Sequence, residues 1–175
     1  MTNSDADPMT PADPDLFRLG MRRLAGGVSI VTTVLDGERH GMAATSVCSV
    51  SADAPALLVC VNRTATSHSV IRDAGCFCVN LLTSTDDALA RRFSVPTDRH
   101  LRFEDRDWTT LATGAPALVG ALASFDCVVR DMMDVDSHTI FVGTVRAIEL
   151  WQERVSPLVY ADGRFRALLH DDQVA

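Results

Sequence analysis

Apolar positions along this chain recur mostly every second residue, in short runs separated by turn-forming residues. Val28-Ser29-Ile30-Val31-Thr32-Thr33-Val34 is one such β-branched run, and Asp36-Gly37 turns it into a second run that begins at Gly41, which predicts a hairpin. The stretch 41–51 reads as one extended run, 56–62 as the next, and Phe77-Cys78-Val79-Asn80-Leu81-Leu82 as another. Further on, Ala121, Ala123, Phe125, Cys127 and Val129 share one face of a half-buried strand, and Thr139, Phe141, Gly143, Val145 and Ala147 share one face of another. Helical spacing is confined to shorter pieces. Asp13-Pro14 looks like a cap followed by a first-turn proline, and Phe17, Met21 and Leu24 then place an amphipathic helix before Gly26-Gly27. Two more helices are expected, from Thr66 to Ala74 before Gly75 and from Ser84 or Thr85 to about Arg92, each starting on a hydroxyl cap. The charged stretch 95–107 reads as one exposed loop. Strands joined by hairpins with only short helices predict a mainly β protein, a small antiparallel barrel rather than a doubly wound α/β sheet. No Gly-x-Gly-x-x-Gly follows a strand, so a dinucleotide fold of the Rossmann type is not supported.

A length of 175 residues is most simply one domain, expected over residues 13–170 after a disordered tail at 1–12. No apolar run approaches the roughly 18 residues that span a bilayer, and the first ten residues lack the basic start and apolar core of a secretion signal. A soluble cytoplasmic protein is the expectation. The formal net charge is −7 and the arginines are dispersed, which argues against nucleic acid or a membrane surface as the partner. All sixteen basic residues are arginine. Without lysine, neither Schiff-base chemistry nor a Walker-type phosphate lysine is available. The five cysteines, at positions 48, 60, 76, 78 and 127, have no zinc-ligand spacing, so no metal is expected. Cys76 and Cys78 fall on one strand face, where disulfide geometry is rarely met. All five are therefore read as buried thiols serving as small hydrophobes.

Candidate chemistry concentrates between Gly41 and Asn80, where hydroxyl and amide side chains stand at the ends of β-like runs. Small residues let a flat ligand approach the backbone, and Ser, Thr and Asn supply neutral donors for phosphate or heterocycle oxygens. Asn62, Arg63, Thr64 and Ser67 stand where a strand gives way to a helix, whose unpaired N–H groups suit an anion. The alternative, that Thr66 or Ser67 simply caps the helix, is compatible with that role. Read alone, His138 at a strand start is an ordinary surface histidine, and Tyr160 a core tyrosine.

The order Gly41-Met42-Ala43-Ala44-Thr45-Ser46, then Ser49-Val50-Ser51, Asn62, Thr64, Ser67 and 77–82, resembles the short flavin reductases of two-component monooxygenases. The likeness continues through Arg92-Phe93-Ser94, Asp136-Ser137-His138-Thr139-Ile140-Phe141-Val142-Gly143 and Pro157-Leu158-Val159-Tyr160, with Gly163 after it, and so covers roughly residues 16–166. It implies an FMN-binding split β-barrel that pairs as a homodimer, with cofactor sites near the subunit interface. It also implies hydride transfer from NADH or NADPH to FMN or FAD, with reduced flavin passing to a separate oxygenase component.

Carried over residue by residue, the resemblance puts Thr45, Ser46, Val47, Cys48 and Ser51 on the flavin-contacting strand. Asn62, Arg63, Thr64, Ser67 and His68 then belong to the phosphate side, Arg92, Phe93 and Ser94 to a further flavin segment, and His138 with Tyr160 to the nicotinamide side. His138 is the one candidate for a catalytic role. Two departures stand out: Val95 where the family often has Gly, and Asp136-Ser137 where Gly-Asp is usual. Two other readings stay open at this point, a split-barrel oxidase that retains its flavin and a non-catalytic flavin- or haem-binding module.

Overall fold

Asp36 and Gly37 both adopt positive φ, 51° and 81°, which is what a two-residue hairpin turn of matching twist requires. In the computed structural model, which describes residues 11–97 and 99–168, that turn joins the two strands expected around it. The tail foreseen at 1–12 falls, apart from residues 11 and 12, outside the described residues, as do residues 169 and 170.

In chain order the elements are helix α1 (Pro14–Met21), strands β1 (Gly26–Gly27), β2 (Ser29–Leu35), β3 (Glu38–Ala44), β4 (Val47–Ser51) and β5 (Ala56–Asn62), helix α2 (Thr66–Ala74), strand β6 (Cys76–Leu81) and helix α3 (Asp87–Ser94). A 3-10 turn at Arg99–Leu101 follows, and then β7 (Trp108–Thr110), β8 (Pro116–Leu118), β9 (Ala123–Val135), β10 (His138–Leu150), β11 (Leu158–Ala161) and β12 (Arg164–Ala167). Seven strands form one antiparallel sheet in the order β3-β2-β6-β9-β10-β5-β4. Its two edges, β3 and β4, are consecutive in the chain.

The expected single run from Gly41 to Ser51 is therefore two strands. The break at Thr45-Ser46 carries the chain from pairing with β2 to pairing with β5, where the Cys60 amide donates to the Ser46 carbonyl (3.1 Å) and the Ser46 hydroxyl donates to the Cys60 carbonyl (2.9 Å). Val31 of β2, Ala44 of β3, Val59 of β5, Phe77 of β6, Cys127 of β9 and Phe141 of β10 all meet in one core, with Met42 and Val47 from the two edge strands packed against it. A flat sheet could not bring edge and central strands together in this way, so the sheet is curled into a barrel left open between β3 and β4. Ile71 of α2 joins the same core.

A second core holds α3 against the outside of the barrel, with Leu89, Ala90 and Phe93 packed among Ile30, Leu82, Leu118 and Leu158. Between these layers lies one buried amide. Asn80 donates to the Ile30 carbonyl (3.1 Å) and accepts from the Leu118 amide and the Ser124 hydroxyl (both 2.8 Å), which ties β2, β8 and β9 to β6. Asn80 is thus a structural hub. Asp126, fully buried, accepts from the Thr113 amide at 2.6 Å, so the first half of β9 is covered on both faces instead of alternating.

Several sequence expectations change here. Neither α2 nor α3 begins on a hydroxyl cap: the N-caps are Ala65 and Asp86, and no side chain bonds either helix start. Asp86 is occupied elsewhere, accepting from the Thr83 amide and hydroxyl and pairing with Arg106, so α3 starts about two residues later than expected. Helix α1 ends at Met21 and leaves Leu24 beyond it; Phe17, Met21 and Leu24 are all exposed, so its apolar side is not buried within the single chain. The stretch 95–107 is not simply an exposed loop, because Phe103 packs edge-on against Phe93 (5.4 Å) and Trp108 (5.0 Å). Cys76, Cys78 and Cys127 are buried as expected, whereas Cys48 is exposed and Cys60 partly so. Burial, reinforced by Asp126, pushes the Cys127 thiol up to about 12 and raises Cys78 further, so neither forms a nucleophilic thiolate near neutral pH.

Candidate functional site

Strand β3 has a neighbour on one side only, and a line of connected recesses follows its length. At the Glu38 end lies a recess of about 320 Å³ lined by Arg39, His40, Arg99 and Arg102 among others. It shares Thr66, Ser67, Arg99 and Arg102 with the next, about 390 Å³, which adds Met42, Ala43, Asn62 and Thr64. Ala43 and Ser94 open this second recess to a third of about 490 Å³, lined also by Ala44, Thr45, Tyr160 and Phe165. Thr45 and Tyr160 lead on to a fourth beneath α1, where Ser46 and Phe17 contribute. The result is a groove with arginines at one end and small or aromatic residues at the other.

The arginine end is built around the start of α2. Asn62 Oδ1 accepts from both the Thr64 amide (2.9 Å) and the Thr64 hydroxyl (2.8 Å), which fixes the turn from β5 into the helix. Ala65 then begins α2 without a side-chain cap, and Thr66 and Ser67 of its first turn line the recess, Ser67 being only 4% exposed. Arg102 reaches across from the loop after α3. Its Nη1 donates to the Gly41 carbonyl (2.6 Å), its Nη2 to the Val95 carbonyl (2.8 Å), and its guanidinium stacks on Phe93 at 5.5 Å. A positive charge held this firmly beside a helix N-terminus suits a phosphate.

Of the residues singled out from sequence, Thr45, Ser46, Asn62, Thr64, Ser67, Phe93, Ser94 and Tyr160 line this groove. Several others do not. Val47, Cys48 and Ser51 line a separate recess of about 400 Å³ with Phe125 and Val145, on the far side of the Thr45-Ser46 bend. Arg92 pairs with Asp105 and donates to the Leu101 carbonyl, holding the loop after α3 and not the groove. Arg63 reaches the hairpin tip, its Nη1 donating to the Asp136 carbonyl (3.4 Å) and its amide to the Ser137 carbonyl (2.9 Å).

His68 points the other way from Ser67. Its Nε2 lies 2.7 Å from the Thr139 hydroxyl, and its ring meets Phe141 edge-on at 5.5 Å. Because the Thr139 hydroxyl donates to Asp134 (2.6 Å), it accepts from His68, which sets the neutral Nε2–H tautomer. Burial, with Arg72 and Arg63 nearby, holds the His68 pKa below the ordinary histidine value, while Asp134 opposes that shift. Asp134 is in turn held low, first by the Thr139 hydroxyl and then by Arg72, which pairs with it at 3.3 Å.

His138 opens β10 directly opposite Asn62 of β5, so paired residues place it on the face of the sheet that Asn62 shares. It is exposed, with Nδ1 2.9 Å from the Ser137 hydroxyl. The recesses that Tyr160 lines include neither Asn62 nor His138, and Tyr160 is 39% exposed, edge-on to Phe165 at 5.3 Å. The residues missed in the sequence are Arg99 and Arg102, hidden in what reads as a solvated charged loop, and Arg91, which lies over Phe165 at 5.1 Å and lines the third recess.

A family model described as flavin reductase like domain matches residues 21–169. The chain belongs to this family. It is 41% identical over 154 residues to the FMN reductase (NADH) RutF of Serratia proteamaculans (strain 568), a match covering 87% of each protein. Among solved structures, BorF, the flavin reductase component of a bacterial two-component tryptophan halogenase, superposes with a TM-score of 0.81 at 35% identity, covering 89% of this chain and 98% of that one. The NADH:FAD oxidoreductase SgcE6 of Streptomyces globisporus C-1027, solved with NAD and FAD fragments, superposes with a TM-score of 0.84 at 30% identity, covering 95% and 99%. In this flavin reductase the groove along β3 has the composition a flavin nucleotide needs: a cationic, N–H-rich end for phosphate and a small-residue end wide enough for a ring system.

Proposed function

We propose that the groove along β3 holds FMN or FAD and that the protein is an NAD(P)H-dependent flavin reductase whose reduced flavin passes to a separate oxygenase component. The observation that carries this reading is the polarity of the groove, from Arg102 and the uncapped start of α2 to the Ala44, Thr45 and Tyr160 end. Hydride transfer between dihydronicotinamide and flavin is chemistry that the two nucleotides supply when bound.

The protein's share is binding and alignment. Ser67, Thr64 and the first-turn amides of α2 receive the flavin phosphate, with Arg102 compensating its charge. Ala43 and Ala44 leave room for the ribityl chain and ring to lie against the backbone, and Thr45 and Ser46 offer donors at the ring edge. Tyr160 forms an aromatic wall there. His138, beside Asn62, approaches from the sheet side at the phosphate end of the groove and binds the pyridine nucleotide there. No protein nucleophile is required, which agrees with a chain that has no lysine and whose buried thiols stay protonated.

A homodimer belongs to the same reading, supported by Leu16, Phe17, Leu19 and Leu24 of the α1 segment and by Met132, Met133 and Val135 of β9, all exposed in the single chain. The cytoplasm, where both nucleotides are available, is the proposed compartment; among the described residues no helix is long and apolar enough to cross a membrane.

Anaerobic mixing of the protein with NADH and excess free FMN tests the function. Bleaching of flavin absorbance far beyond the protein concentration is expected. Bleaching that stops at one flavin per site would show a retained cofactor and overturn the reading of a diffusible product.

A further inference from the structure

The recess at the Glu38 end of β3 holds more positive charge than a single flavin phosphate uses. Arg39, His40, Arg99, His100 and Arg102 converge there on a space of about 320 Å³, and among the described residues that line it the one carboxylate is that of Glu38, which lies 3.9 Å from His40. In a chain of net charge −7, such a concentration marks an anion site. Two of the arginines are also pre-oriented. Arg102 is fixed by the Gly41 and Val95 carbonyls, and Arg39 lies over the Phe103 ring at 4.8 Å. A guanidinium plane held on an aromatic ring presents its other face as a stacking platform for a flat heterocycle.

This recess opens directly into the phosphate recess through Thr66, Ser67, Arg99 and Arg102. The parts of the groove therefore follow β3 in a fixed order: Arg39 to Gly41 line the outermost space, Met42 and Ala43 the phosphate space, and Ala43 to Thr45 the ring space. FMN ends at its phosphate and would leave the outermost space unused.

We propose that this recess takes the second phosphate and the adenosine of FAD, with the phosphate against Arg99 and the adenine against the Arg39 guanidinium and His100, so that the protein prefers FAD to FMN. The inference rests on the placement of the flavin phosphate at Ser67 and Arg102. NAD(P)H carries the same adenosine diphosphate chemistry, and the test separates the two sources.

Flavin binding to the whole protein is titrated with FMN and with FAD under identical salt and pH, for the wild type and for Arg39→Gln and His100→Ala, with urea midpoints to show that both variants are folded. The wild type is expected to bind FAD about tenfold or more tightly than FMN, the effect of roughly one charge-assisted hydrogen bond. Each variant is expected to lose most of that preference while its FMN dissociation constant stays within about twofold, and the KM for NADH with saturating FMN is expected to be unmoved. Equal binding of the two flavins by the wild type would overturn the proposal, as would an equal loss for both flavins in the variants. A raised KM for NADH with unchanged FAD affinity would assign the recess to the pyridine nucleotide instead. Failure of the reductase reading shows separately, as absence of NADH-dependent FMN bleaching, and leaves the FAD-to-FMN binding ratio measurable.

Discussion

Gly41 is where the second core and the proposed flavin groove press on the same atom, so Gly41→Ala is expected to damage both. A Cβ built at this position would lie 2.8 Å from Cε1 of Phe93, 3.2 Å from the Thr32 methyl and 3.2 Å from the Val31 carbonyl oxygen. The carbonyl belongs to the neighbouring strand and cannot move without breaking the β2–β3 ladder, so the Phe93 ring must give way. That ring is 2% exposed and packed between Phe103 and Trp108, so the shift of more than half an ångström needed for ordinary contact strains the second core. Overpacking of this kind costs about 1–3 kcal/mol, offset by roughly 0.5–1 kcal/mol from replacing a strand glycine. A net loss of about 1–2 kcal/mol is expected, read from urea unfolding, with the fluorescence of Trp108 as a local reporter because its ring lies 5.8 Å from that of Phe93. Phe93 also supports the Arg102 guanidinium, so flavin affinity should fall in the same variant. Gly27→Ala is the control, since a Cβ there meets nothing within 4 Å. If Gly41→Ala unfolds within about 0.5 kcal/mol of the wild type and binds flavin unchanged, the coupling of core to groove through Phe93 is refuted.

Two further outcomes follow from the sheet side. His138→Ala is expected to raise the KM for NAD(P)H or lower kcat by about ten- to a hundredfold, the loss of one hydrogen bond of roughly 1.5–3 kcal/mol to a charged group, while flavin affinity holds; unchanged nicotinamide kinetics would return His138 to the surface residues. His68 is held neutral in the fold, so its folded pKa lies below its unfolded value and the unfolded chain takes the proton first. Its contribution is therefore complete above pH about 6.5 and lost as pH falls from there to the lower folded value. Urea midpoints measured on both sides of that pH should fall less steeply with acid in His68→Gln than in the wild type, and superposable slopes would dismiss the burial of neutral His68 as a cause.

Local pattern carried most of the strands and the β2–β3 turn into view, because alternation and a turn at positive φ are properties of neighbouring residues. The break at Thr45-Ser46 was not visible, since nothing local distinguishes a strand that continues beside β2 from one that leaves to pair with β5; the bonds that decide it run to Cys60. The same limit governed the arginines. Arg92, inside a family-like triplet, is used by Asp105, while Arg102, in a charged stretch that reads as an exposed loop, holds the edge of β3. Ser67 and His68 are adjacent and similarly polar, yet the helical turn sends the first into the groove and the second toward Thr139.

The open barrel and the candidate site are one structural fact. Because β3 and β4 are consecutive strands at opposite edges of the sheet, the chain must cross the opening at Thr45-Ser46, and closing the barrel there would bury the edge of β3. Left open, that edge presents unpaired backbone groups, a liability in most proteins. Here the Gly41 carbonyl is taken by Arg102, α3 and the 99–103 segment cover the lower part, and the upper part, at Ala43 to Thr45, faces the groove. Small side chains at 43 and 44 serve both demands at once: Ala43 lets α3 pack close to the strand, Ala44 turns into the barrel core, and both line the recess where the backbone is within reach of a flat ligand. In the reading proposed above, an edge strand that would otherwise invite another chain is reserved for a nucleotide, which is the physical reason a Gly-Met-Ala-Ala-Thr-Ser run can carry so much of the signal in the sequence.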